Sequence, residues 1–101
     1  MANIKLNYLY RDGCNYKNHH SIIFANPNDI NIAELLDKIY SQLIDGTWFY
    51  TEQWNLPDLK QGEFDPEIDP SWHEFESIDY TNEQPTTSQT LEQFLANVTI
   101  P

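Results

Sequence analysis

The chain has 101 residues, 40% of them hydrophobic and 14% aromatic, with 16 acids against five Lys and Arg, for a net charge of −11. One domain is expected at this length, and three Trp, six Tyr and five Phe argue for a packed core rather than a disordered acidic tail. So negative a field disfavours direct contact with nucleic acid or an anionic membrane and favours a basic protein surface.

Ile4, Leu6, Tyr8 and Tyr10 fall on one face of an alternating run, which reads as a strand. Arg11 to Asn15 carries turn chemistry, with Asp12-Gly13 its strongest pair, and His20 to Phe24 reads as a second strand. The connection from Arg11 to His19 is expected to be longer than a tight turn and ordered by Tyr16. After the break at Asn26-Pro27-Asn28-Asp29, Asn31 and Glu34 form a capping-box pattern. Ile32, Leu35, Leu36, Ile39, Tyr40 and Leu43 then make one apolar stripe, predicting an amphipathic helix over Ile32 to Ile44. Gly46 is expected as its left-handed C-terminal residue.

Thr47 to Thr51 reads as a third strand. A stretch broken by Pro57, Gly62, Pro66 and Pro70 follows, and then His73 to Tyr80 as a fourth strand with a mixed facial pattern. Thr81 to Gln89 reads as a loop. Thr90 and Gln93 offer a second capping box before a short helix through Leu91, Phe94, Leu95 and Val98. The order β-β-α-β-β-α predicts an α+β fold over residues 1–101, with a small, mostly antiparallel sheet carrying its helices on one face.

Charge is divided unevenly. No Lys or Arg occurs after Lys60, whereas nine of the sixteen acids do. Asp65, Glu67, Asp69 and Glu76 match positions 1, 3, 5 and 12 of a calcium loop, but position 6 is Pro70, where that loop needs Gly for its turn. His19, His20, His73 and Cys14 are the zinc-favouring side chains; they show no finger or zincin spacing, and His19 and His20 point to opposite faces of a strand. Cys14 would need a base and an oxyanion pocket to act as a nucleophile, and three glycines make no phosphate-cradling loop. No catalytic residue, metal ligand or cofactor is therefore assigned. The interaction reading is stronger: aromatic Trp54, Trp72 and Phe75 border the acidic, Pro-rich segment. The candidate partner-binding residues are Asp65, Glu67, Asp69, Trp72, Glu74 and Glu76.

The fragments Asn15-Tyr16-Lys17-Asn18, Leu43-Ile44-Asp45-Gly46, Leu56-Pro57 and Trp72-His73-Glu74-Phe75-Glu76, in this order, resemble a group of short acidic uncharacterised bacterial proteins. The resemblance implies a bacterial, single-domain protein and brings no catalytic residue. In size and charge the chain is also similar to phage inhibitors and toxin-immunity proteins. One cysteine and no signal-peptide pattern point to the cytoplasm. The expectation is a non-enzymatic module that docks a basic protein surface, such as an inhibitor or immunity protein. The alternatives are a nucleic-acid-mimicking inhibitor of a nucleic-acid-handling enzyme, as in phage anti-defence, and a small metal-binding or catalytic domain. Oligomeric state is left open.

Overall fold

A computed structural model describes residues 2–60 and 64–98. The elements are β1 (Asn3–Arg11), β2 (Lys17–Phe24), α1 (Ile32–Gln42), β3 (Trp48–Phe49), a one-turn α2 (Thr51–Trp54), β4 (His73–Thr81) and α3 (Leu91–Val98). The four strands form one antiparallel sheet in the order β2-β1-β4-β3. The fold is α+β, as the order of apolar periods predicts.

The alternation in β1 fixes the two faces. Ile4, Leu6, Tyr8 and Tyr10 point into the core with their cross-strand partners Phe24, Ile22, Tyr80, Ile78 and Phe75 on the same side. Leu35, Ile39 and Leu43 from α1 and its end, and Leu91, Phe94, Leu95 and Val98 from α3, cover that face. Phe94 stacks on Phe24 at 4.7 Å, and Phe49 stacks on Trp54 at 4.3 Å. The opposite face is polar over most of its length. There Asn7 donates to Ser77 and accepts from Ser21, and Lys5 lies opposite Asp79. Leu9 and Ile23 are buried on it, and Trp48 at its edge is half-buried.

The mixed pattern of β4 has a simple cause. Asn7 faces Ser77 but Tyr8 faces Phe75, so Glu76 is an extra residue at a β-bulge. The bulge resets the alternation, and His73, Phe75 and Ile78 all face inward. Tyr80 follows on the same side and its hydroxyl accepts the Ile32 N–H at 3.0 Å, satisfying a free donor at the start of α1.

The starts of α1 and α3 are capped by side chains. Asn31 accepts the Ala33 N–H at 2.8 Å, while Glu34 does not reach back and instead lies 3.9 Å from Lys38. At α3 the capping box is complete: Gln93 accepts the Thr90 N–H at 2.8 Å and Thr90 accepts the Gln93 N–H at 3.3 Å.

Four expectations are corrected. α1 ends at Gln42, with Leu43 extended. Gly46 (φ 70°) does not terminate the helix; with Asp45 (φ 50°) it reverses the chain so that Ile44 can bridge Trp48. The third strand is only two residues long, because the chain turns into α2 at Thr51. The connection between β1 and β2 is five residues, shorter than expected, and Tyr16 is 76% exposed rather than ordering it.

Candidate functional site

The turn between β1 and β2 is built on Asp12. Its Oδ1 accepts the Cys14 N–H at 2.9 Å and the Tyr16 N–H at 3.0 Å. Asn15, at φ 68°, takes the left-handed conformation that Asn tolerates. Gly13 lies against the acidic segment so closely that a Cβ there would sit 2.2 Å from the Ile68 carbonyl oxygen. Only glycine fits that approach.

The acidic segment is ordered in return. Asp69 accepts the Gly13 N–H through Oδ1 at 2.8 Å and the Asp65 N–H through Oδ2 at 2.9 Å. The Asp65 carboxylate accepts the Glu67 N–H at 3.0 Å, and the Asp69 N–H closes the turn on the Asp65 carbonyl at 2.7 Å. The N–H groups of Asp65 and Gly13 hold the Asp69 carboxyl below the usual aspartate range. Further back, the Tyr8 hydroxyl donates to the Pro57 carbonyl at 2.8 Å and the Tyr10 hydroxyl to that of Pro70 at 2.7 Å. Asn18 donates to the Leu59 carbonyl at 3.0 Å. Pro57, Leu59 and Pro70, all outside the strands and helices, are thus held by side chains of the sheet.

Beyond Pro70 the chain enters a cleft of about 160 Å³ lined by Arg11, Asp12, Trp48, Pro70, Trp72 and Glu74. The rings of Trp48 and Trp72 have their centroids 5.7 Å apart and are inclined by 46°. Trp48 stands opposite Glu74 on the polar face of the sheet, and both indoles are half-buried. Glu74 binds Arg11 through Nε and Nη2, each at 3.2 Å. One step along the strand, Glu76 meets His19 Nδ1 at 2.8 Å. On the other side of the turn a second cleft, about 210 Å³, is lined by Tyr10, Asp12, Tyr16, Lys17, Asn18 and Leu59. Asp12 borders both.

All six sequence-assigned candidates therefore lie around one end of the sheet, but in different states. Asp65 and Glu67 are exposed, and Glu67 makes no ion pair among the described residues. Asp69 is committed to two backbone N–H groups, Glu74 to Arg11 and Glu76 to His19, while Trp72 forms one wall of a cleft. Trp48 and Asp12, which the sequence reading does not single out, complete the site. The signal for Trp48 is present in the sequence: it alternates with Phe49, and Phe49 goes to the core.

Among the described residues no three His, Cys, Asp or Glu are grouped as metal ligands. The Cys14 thiol is exposed on the turn, whereas His19 bonds Glu76 and His20 meets the ring of Tyr8 edge-on at 5.8 Å.

No protein family, curated protein or solved structure matches the chain. The site must be read from its own chemistry. Four of the five cations are paired with acids inside the fold: Lys5 with Glu83, Arg11 with Glu74, Lys38 with Glu34 and Lys60 with Asp58. Each such surface pair adds little to stability, but together they leave Lys17 as the one cation without an acidic partner among the described residues, against a large excess of carboxylates. No helix among the described residues is long and apolar enough to cross a membrane.

Proposed function

We propose that this chain is a non-enzymatic protein-binding module that docks a basic partner surface through the end of the sheet bearing Asp65, Glu67, Trp72 and Glu74, in the manner of an inhibitor or immunity protein. The carrying observation is that four of the five cations pair with other acids, which leaves exposed Asp65 and Glu67 without a counter-charge among the described residues. Half-buried tryptophans beside a charged rim supply the apolar anchor that charge alone lacks, since electrostatics chiefly set encounter rate and selectivity while buried aromatics hold the complex. An ordered acidic loop also suits recognition, because little entropy remains to be lost on docking.

The test is capture from a cell lysate at about 0.05 M and about 0.5 M salt, with the wild type and a double Asp65→Lys, Glu67→Lys variant. Both side chains are exposed, and the one hydrogen bond lost, from the Glu67 N–H to the Asp65 carboxylate, costs about 1 kcal/mol, so the fold stays intact. Basic proteins retained by the wild type at low salt should be released at high salt and missed by the variant. A variant that stays folded and retains the same proteins refutes the reading.

A further inference from the structure

Resting on that reading, we infer that the cleft between Trp48 and Trp72 is the anchor pocket for one basic side chain, an arginine or lysine of the partner protein. The two indoles are inclined at 46° with centroids 5.7 Å apart, too close to admit a third ring between them, and both line the cleft. A cation seated in the cleft lies beside indoles, the strongest aromatic partners for a positive charge. The volume of about 160 Å³ is that of a single side chain rather than a peptide or a cofactor.

The charges of the cleft select the sign of the guest. Its lining holds two carboxylates, Asp12 and Glu74, and one cation, Arg11. Arg11 is already held by Glu74 and also donates to Asn15. Asp12 uses Oδ1 for both turn N–H groups, and its Oδ2 takes no hydrogen bond from a described residue. That oxygen is the counter-ion available to an incoming guanidinium or ammonium. The Asp65–Asp69 turn lies next door through the Gly13–Asp69 bond, so the acidic rim steers the same cation that the tryptophans then hold.

The probe is a hexa-arginine peptide, titrated at low salt while the three indole N–H resonances are followed. Trp48 and Trp72 should shift, and Trp54, which is buried under α3 against Phe94, should not. Trp72→Ala should weaken binding about three- to thirtyfold. Asp12→Asn keeps the Oδ1 acceptor that holds the turn and removes only the charge, and it should weaken binding several-fold without altering the melt. Binding that moves the amides of Asp65 to Asp69 but neither outer indole, and that ignores both substitutions, overturns the anchor while leaving acidic docking intact. A peptide that does not bind at low salt overturns both.

Discussion

Lowering the pH from 7 to 5 should weaken the fold through His73. Its ring is wholly excluded from solvent, between the rings of Tyr10 at 5.0 Å, Tyr8 at 6.1 Å and Phe49 at 6.2 Å. Nε2 accepts the Leu59 N–H at 2.9 Å, so the neutral ring carries its proton on Nδ1, the one buried side-chain nitrogen or oxygen without a partner among the described residues. Asp58 Oδ1 lies 3.5 Å from Nε2, but with that nitrogen occupied as an acceptor the two are not an ion pair at neutral pH. Burial is the largest cause of a pKa lowered from 6.5 to about 4; Asp58 opposes it, Lys60 reinforces it and Glu52 opposes it. The unfolded chain therefore takes up the proton first. Stability is whole above about pH 6.5, falls as the pH drops towards about 4, and changes no further through this group below that. The full loss is about 3 kcal/mol, of which about 2 kcal/mol belongs to the interval from pH 7 to 5. Urea melts at both pH values should be run on the wild type and on His73→Gln, whose amide oxygen can still accept the Leu59 N–H. The wild type should lose about 2 kcal/mol more than the variant. Equal losses would show that His73 is protonated as easily in the folded chain as in the unfolded one.

Leu35→Ala or Ile39→Ala, both at fully buried positions on α1, should cost about 2–5 kcal/mol in a urea melt, whereas exposed Lys38→Ala should stay within about 0.5 kcal/mol. Gly13→Ala drives a Cβ into the Ile68 carbonyl; it should lower the melting temperature and release the Gly13–Asp69 bond, seen as faster amide exchange at Gly13 and Asp65. Asp69→Ala should speed exchange at the same two amides, while Glu67→Lys should leave them protected, which separates the carboxylate that builds the loop from one that decorates it.

The sequence carried the α+β class clearly because two periodicities were clean: the alternation of Ile4, Leu6, Tyr8 and Tyr10, and the helical stripe from Ile32 to Leu43. It was less clear where a single residue changes phase. Glu76 at the bulge blurred β4, since alternation cannot show an inserted residue until the partner strand is known. α2 was illegible because four residues are too few for a helical period, and Trp48-Phe49-Tyr50 before it favours a strand. In the candidate site the acids were visible, but their employment was not. Nothing local in the sequence says that the Asp69 carboxylate binds the N–H of Gly13, 56 positions away. Asp12 was legible only as a turn residue, and its place between two clefts depends on Trp72 and Leu59 arriving from the loop.

The strand order has a consequence for how the chain comes into being. β1 is an inner strand whose two neighbours are made at very different times: Phe24 pairs with Ile4 across a hairpin, but Tyr80 pairs with the same Ile4 from near the other end of the chain. At about 5–20 residues per second, a ribosome takes several seconds to pass from β2 to β4. Throughout that interval the hairpin can close, yet one edge of β1 presents bare N–H and C=O groups flanked by Leu6 and Tyr8. Such an edge recruits strands from other chains, and a long-range closure of this kind is slow. A chain truncated before His73 should therefore self-associate more readily than the 101-residue chain. In the finished chain it is β4, the acid-rich strand carrying Glu74, Glu76 and Asp79, that closes the open edge.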